Sequence, residues 1–371
     1  MPIDIARIQL RRMRMRLKHP FGTSFGTLQN KEFFIIEAID SAGETGYGES
    51  VAFSAPWYTE ETVETNLHIM RDFLIPLLKN NPVNHPDELS RLFAPIRRNN
   101  MAKAALEGAV WDLYAKQQNV SLAAALGGTR SRVEVGVSIG IQPTINELLE
   151  KIAAYVEEGY KRIKLKIKPG QDIDMLKAVR NAFPDIALMA DANSAYTLED
   201  IQHLKQLDAL QLLMIEQPLA HNDIIDHAKL QQSITTPICL DESIHALSDV
   251  EKAHRLGSCQ IINVKSGRVG GLTAARRIHD YCLENNMPVW CGGMLESGIG
   301  RAHNIALASL PQFILPGDIS GSDRYWDKDI IDPEIVVQDG YVAVPDKPGI
   351  GVTVDQQALE AFTKSIKSYH L

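Results

Sequence analysis

Apolar and charged side chains alternate with period two along residues 12–18, Met13, Met15 and Leu17 against Arg12, Arg14, Arg16 and Lys18. This predicts a strand with one buried and one wet face. The cations suit a charge-shielded edge strand better than a polyanion-binding patch. A second strand is expected over 33–39. Asp40-Ser41-Ala42-Gly43 then turns the chain into Thr45-Gly46-Tyr47-Gly48-Glu49, so the opening reads as a β-meander. Helical spacing takes over in 60–78 and 101–117, the second with Asn100 as its expected N-cap and a stripe of Ala105, Ala109 and Leu113.

From residue 133 onward, strand-like and helix-like stretches alternate. Strands are expected at 133–139, 162–167, 187–192, 212–216, 237–241, 260–265, 288–291 and 313–316, with helices such as 145–158, 198–207 and 271–285 between them. Such alternation builds a parallel sheet, and eight strands close a barrel. An open doubly wound sheet would place a glycine-rich phosphate turn after its first strand, whereas Ile141-Gln142-Pro143-Thr144 follows Gly140. From residue 325 the chain returns to short strands and a terminal helix near 357–369. The expected fold is therefore α/β: a (β/α)8-type, modified TIM barrel as catalytic domain over 126–324. An α+β capping domain is expected from 1–125, joined by the C-terminal segment 325–371.

Five charged residues close successive strands at a near-constant interval: Lys166, Asp191, Glu216, Asp241 and Lys265, separated by 25, 25, 25 and 24 positions. A strand, a helix and two short loops fill such a step, so the charges mark the same end of neighbouring strands, where α/β barrels keep their chemistry. The second and sixth strands of an eight-stranded ring face each other. Lys166 and Lys265 would then oppose one another across the mouth, with three carboxylates on the arc between. Three clustered acids repel unless a cation sits among them, and an all-oxygen set suits a hard divalent ion, Mg2+ or Mn2+. Period two turns Lys164 the same way as Lys166, Asn193 with Asp191, and Asn263 with Lys265. A second cation at Lys164 should help bring Lys166 toward the pKa of roughly 7 to 8 that a lysine base needs, while Lys161 and Lys168 are expected in solvent. A divalent ion between opposed lysines specifies proton abstraction beside a carboxylate, with the metal holding the resulting enediolate. A barrel that merely binds has no reason to keep these repelling groups in one mouth.

Composition narrows the partners. Of 371 residues 45% are apolar and 23% charged, and the net charge of −8 disfavours nucleic acid or an anionic membrane. Residues 1–30 hold no apolar targeting core, and no later apolar run reaches the about 18 residues a membrane span needs. A cytoplasmic enzyme acting on a small-molecule carboxylate is expected. Cys239, Cys259, Cys282 and Cys291 form no CxxC pair and are expected as buried free thiols, and the 11 histidines show no ligand spacing.

On Lys164-Leu165-Lys166, Asp191-Ala192-Asn193, Ile215-Glu216-Gln217-Pro218, Asp241-Glu242-Ser243 and Asn263-Val264-Lys265, the chain resembles the enolase superfamily, specifically its muconate-cycloisomerase-like subgroup. Within it the chain is most similar to the family of o-succinylbenzoate synthases and N-succinylamino acid racemases. That likeness rests on Pro56-Trp57-Tyr58, Gly267-Arg268-Val269-Gly270-Gly271, Trp290-Cys291-Gly292-Gly293-Met294-Leu295-Glu296 and Leu315-Pro316-Gly317-Asp318. The resemblance implies that Lys166 takes the α-proton and that Asp191, Glu216 and Asp241 bind Mg2+. A synthase of this kind dehydrates 2-succinyl-6-hydroxy-2,4-cyclohexadiene-1-carboxylate to o-succinylbenzoate for menaquinone synthesis, with Lys265 staying protonated. In a racemase Lys265 works from the opposite face. Homo-oligomers are common for this architecture. Asn193, Glu242, Arg268, Ser138, Gly293 and Met294 complete the expected site.

Arg268, three residues after Lys265, admits two readings: it lowers the pKa of Lys265, or it caps or pairs with a neighbouring carboxylate. Asp318-Ile319-Ser320 stands where dipeptide epimerases carry Asp-x-Asp, which argues against an ammonium-anchoring pocket. Loops 20–28 and 51–58 are expected to close over the mouth as a lid. Gly22-Thr23-Ser24-Phe25-Gly26 matches G-x-S-x-G formally, but a strand rather than the required helix is expected next, so a hydrolase is rejected.

Overall fold

In the computed structural model, which describes residues 2–23 and 26–371, strands β1 (Arg7–Thr23), β2 (Gly26–Ile39) and β3 (Thr45–Glu49) form the expected antiparallel meander. Met13, Met15 and Leu17 are buried while Arg14, Arg16 and Lys18 are exposed. The predicted edge position of β1 does not hold. The C-terminal strand Thr363–His370 pairs antiparallel with its free side, giving the order C-terminal strand, β1, β2, β3. The terminal helix expected to residue 369 accordingly stops early, as Gln356–Phe362. Thr363 to His370 mixes β-branched and aromatic residues with polar ones, and the unpaired N–H and C=O groups of β1 draw it into the sheet.

The predicted helix 60–78 splits into Val63–Ile69 and Ile75–Asn80 around a wide turn at Met70–Leu74, beside Pro76, which has no N–H to continue the ladder. The long capping helix spans Asn100–Gln117, and Asn100 is not its cap. The Asn100 amide donates instead to the carbonyls of His245 and Arg268, at 3.0 and 2.7 Å. Glu61 takes the capping role, accepting from the N–H groups of Met101 and Ala102 at 2.9 and 3.1 Å.

Strands β4 (Gly136–Ile139), β5 (Arg162–Lys166), β6 (Leu188–Asp191), β7 (Ile215–Glu216), β8 (Ile238–Leu240), β9 (Ile261–Val264) and β10 (Val289–Cys291) form one parallel sheet in chain order. The eighth predicted strand, 313–316, is absent among the described elements. The ring closes there through the bridge between Val135 and Gly317, with Gly136 N–H donating to the Gly317 carbonyl at 2.7 Å and Asp318 N–H to that of Cys291 at 2.8 Å. Pro316 carries no N–H, so a continuous ladder cannot run through this segment.

Met189, Met214, Cys239, Ile261 and Trp290 plug the barrel floor, capped by the Arg162 guanidinium 5.0 Å over the Trp290 ring. The capping helix Asn100–Gln117 buries Leu106, Ala109, Val110 and Leu113 in the core of the capping sheet. From its other side Trp111 donates to Thr273 on the barrel helix Leu272–Glu284, at 3.1 Å. All four cysteines are buried free thiols. No helix among the described residues is long and apolar enough to cross a membrane.

Candidate active site

Ladder register brings the charged residues together. Lys166 pairs with Asp191 and Asp191 with Glu216; Glu216 pairs with Cys239, which leaves Asp241 two residues further along β8's line and on the same face. Lys265 directly follows β9, ahead of the short helix Ser266–Val269. Lys164, Lys166, Asp191, Asn193, Asp241 and Lys265 all line one cavity of about 110 Å³ at the carboxyl end of the strands, with Ser138, Gly293, Met294 and Asp318. Phe21, Gly26 and Leu28 from the paired ends of β1 and β2, and Phe53, Trp57 and Tyr58 from the loop after β3, cover it. Both segments predicted as lid loops line the mouth, but the first is no plain loop: residues 21–23 and 26–28 are paired strand ends of β1 and β2, while Ser24 and Phe25 of the formal G-x-S-x-G stretch fall outside the described residues.

Asp191, Glu216, Asp241 and Asp318 each meet a cation. Lys166 Nζ lies 2.6 Å from Asp191 and donates to the Asn193 Oδ1 at 2.5 Å. Asn193 is oriented for this by its own amide N–H, which donates to Glu242 at 2.9 Å. Lys164 sits among three acids, 2.7 Å from Asp318, 3.1 Å from Glu216 and 3.5 Å from Asp191. Lys265 lies 2.7 Å from Asp241 and donates to the Tyr58 hydroxyl at 2.9 Å. Of the remaining expected residues, Ser138 donates to Asp318 at 3.1 Å, and Glu242 and Arg268 lie behind the cavity wall. Lys168 is exposed as expected, whereas Lys161 is half-buried with its ammonium over the Tyr341 ring.

Burial alone would discharge these groups, and for Lys164, Asp191 and Lys265 the neighbours reverse this. Lys164 is buried, which lowers its pKa, but Asp318, Glu216 and Asp191 outweigh this and hold it charged. Burial pushes Asp191 up, and Lys166 and Lys164 bring it down to about 2. Glu216 is raised by burial and by Asp191. Burial lowers Lys265 too, yet Tyr58, Glu216 and Glu242 carry its net shift upward. Arg268 does pair with a neighbouring carboxylate, the second of its two readings: its guanidinium bonds to Asp241, to the Tyr58 hydroxyl at 2.9 Å and to the Ile244 and Asn263 carbonyls.

The acids also differ from expectation. Among the described residues no three acidic, histidine or cysteine side chains stand close enough to hold an ion as they are; their oxygens turn to Lys164, Lys166 and Lys265. Buried carboxylates take whatever positive charge lies in reach, here Lys164 and Lys166 of β5 and Lys265 after β9. The donor chemistry nevertheless suits a hard divalent ion. Asp191, Glu216 and Asp241 are all buried, and Glu242 Oε2 and Asn263 Oδ1 beside them are buried oxygens with no hydrogen-bond partner. Asn263 already donates to Glu216 at 2.8 Å.

Asp318, the nearest partner of Lys164, enters the sequence reading only within resembling motifs and not as a site residue. Its signal is the same ruler, which past Lys265 reaches Cys291 and then Asp318 after 26 and 27 positions. Tyr58 enters only within a resembling tripeptide, because nothing local marks a loop tyrosine as the hub of Asp241, Lys265 and Arg268.

Two family profiles match: "Mandelate racemase / muconate lactonizing enzyme, N-terminal domain" over residues 6–127 and "Enolase C-terminal domain-like" over 147–358. The chain is 60% identical over 370 residues to the o-succinylbenzoate synthase of Geobacillus kaustophilus, covering 100% of this chain and 99% of the relative. It is 46% identical to the N-succinylamino acid racemase of Thermus thermophilus, covering 96% of each chain. A solved enolase-superfamily structure from Listeria innocua superposes with TM-score 0.96 at 48% identity, covering 99% of both chains.

Proposed function

The chain belongs to the enolase superfamily, in its mandelate racemase and muconate lactonizing enzyme branch, and from that premise we propose that it is an o-succinylbenzoate synthase in the cytoplasmic menaquinone pathway. One observation carries the reading. Lysines on β5 and after β9, on opposite sides of the ring, line the same cavity, with three buried carboxylates on the strands between. The 60% identity to a synthase over the full chain supports it.

Enzymes of this superfamily generally use a divalent metal. Asp191, Glu216 and Asp241 would hold it, Mg2+ by donor chemistry. When bound, the ion supplies positive charge to the substrate carboxylate as its second negative charge develops. Lys166, unprotonated, removes the proton from the carbon beside that carboxylate, and the C–H electron pair moves into the carboxyl group. As the pair returns to form the aromatic ring, the C–O bond to the hydroxyl breaks. The hydroxyl leaves with the proton Lys166 had taken, as water. Lys265, kept protonated by its acidic surroundings, offers charge from the other face. Phe21, Leu28 and Phe53 line the cavity with apolar surface that limits the access of water, with Trp57, 45% exposed, at its rim.

A second reading, racemisation of an N-succinylamino acid, is favoured by the presence of both lysines at one cavity, since two-base exchange needs one on each face. Assaying both substrates and comparing kcat/KM separates the two. Complete removal of divalent metal by a chelator should abolish turnover and readdition of Mg2+ restore it. Full activity in the metal-free protein would sink the mechanism.

A further inference from the structure

Among the ion pairs that the chemistry above leaves unused, Lys31 and Glu49 form a fully buried one. Lys31 on β2 and Glu49 at the end of β3 have side chains only 1% exposed and lie 2.9 Å apart. Two charges taken out of water recover their desolvation cost only when further hydrogen bonds complete their shells. Here those bonds go to the barrel. Lys31 Nζ donates to the Leu295 carbonyl at 2.7 Å. Glu49 accepts from the Ser297 N–H at 3.1 Å, the Ser297 hydroxyl at 2.6 Å and the Gly300 N–H at 3.1 Å.

The segment so held, 292–297, links β10 to the helix Gly298–Ala308. Gly293, Met294 and Leu295 line the cavity, and Leu295 is kept at φ 58°, in the left-handed region that side chains avoid. The segment also abuts the reacting groups. A Cβ on Gly292 would lie 2.6 Å from Lys265 Cε and would collide with Asn263 Oδ1, so the backbone there is packed directly on Lys265.

We propose that Lys31 and Glu49 are positioning residues through which the capping sheet fixes the 292–295 wall against Lys265, and that they thereby set the balance between reactions that need Lys265 to exchange a proton and those that need only its charge. The proposal rests on the two-lysine reading of the site given above. Racemisation places the α-carbon between two bases and tolerates little displacement of either. Dehydration uses Lys166 alone for proton transfer. A loosened wall should therefore fall mainly on racemisation.

Lys31→Met and the charge-free pair Lys31→Met/Glu49→Gln test this in the full chain with Mg2+ supplied. Racemase kcat/KM with an N-succinylamino acid should drop about tenfold or more, while synthase kcat/KM drops less than about threefold. Lys31→Arg should recover part of the racemase loss. Amide hydrogen exchange of residues 293–297 should quicken in both variants. Equal losses in the two reactions, or unchanged exchange in that segment, would overturn the proposal. So would failure of both variants to fold, which would make the pair purely structural. Should the wild-type protein turn over neither substrate, the functional reading falls, and the exchange measurement still decides whether the pair holds the wall.

Discussion

Lys166 and Lys265 have similar chemistry and unlike surroundings. Lys166 is the more exposed, its side chain at 18% against 8%, and it touches Asp191 and Asn193. Lys265 is enclosed by Asp241 and Tyr58, with Arg268 behind. In the proposed dehydration only Lys166 moves a proton, so Lys166→Ala should lower both activities by at least about 10²- to 10⁴-fold, the usual worth of a general base. Lys265→Arg keeps a positive charge but cannot exchange a proton near neutral pH. It should leave measurable dehydration and end racemisation, as read by product formation and by loss of optical rotation. Equal loss of both would contradict a single-base dehydration. The residue types are legible in the sequence because a charge at every strand end stands out. Their pairing is not: which oxygen Lys164 meets depends on Asp318, which reaches the site from the segment that closes the ring.

Elements are legible where one face is buried and the period is regular. β5, β6, β8 and β9 fall within the predicted spans, as do the helices Ile145–Glu157 and Leu272–Glu284. The misses share a physical cause, long-range pairing. Local spacing suggests a helix over residues 363–369, and the segment is a strand because β1 offers it an edge; that same pairing makes β1 an interior strand. Local sequence likewise assigns the N-terminus of Asn100–Gln117 to the adjacent Asn100, whereas the cap comes from Glu61, 40 residues from Met101. Glu61 also accepts from the Asn66 amide at 2.7 Å, and burial raises its pKa against these bonds. Glu61→Ala would strand buried donors at a helix end whose Met101 packs with Val51, Ala52 and Met294 beside the cavity. Its expected cost is on the order of 2 kcal/mol in urea unfolding. Glu61→Gln keeps an acceptor and should cost less than half as much; equal costs would show that the cap is not what Glu61 contributes.

The capping sheet and barrel act as one molecule because polar groups of one complete the backbone of the other. Glu49 does this for the helix Gly298–Ala308, and Glu107 does it for Leu272–Glu284. From the capping helix, Glu107 accepts the N–H groups of Leu272 and Thr273 at 2.5 and 3.1 Å. Gly271, at φ 123°, is what lets it in: a Cβ there would collide with the Glu107 Oε2. Glu107 is fully buried with no cation as partner among the described residues, so desolvation pushes its pKa up to about 7 from 4.5, the bonds from Thr273 and Leu272 opposing only in part. The folded state therefore binds this proton more tightly than the unfolded chain. Its contribution to stability is fully present below pH 4.5 and is lost as the pH rises through about 7, with a slope of at most about 1.4 kcal/mol per pH unit between those two values. Other groups titrate in the same window, so the comparison has to be made against Glu107→Gln, which keeps an acceptor for one of the two N–H groups and cannot ionise. Between pH 4.5 and 7 the melting temperature of the wild-type protein should decline relative to that of the variant, the two curves approaching or crossing near neutral pH. A constant offset across the range would mean that Glu107 is ionised throughout it, and that the interface between capping helix and barrel holds a buried negative charge between those two pH values.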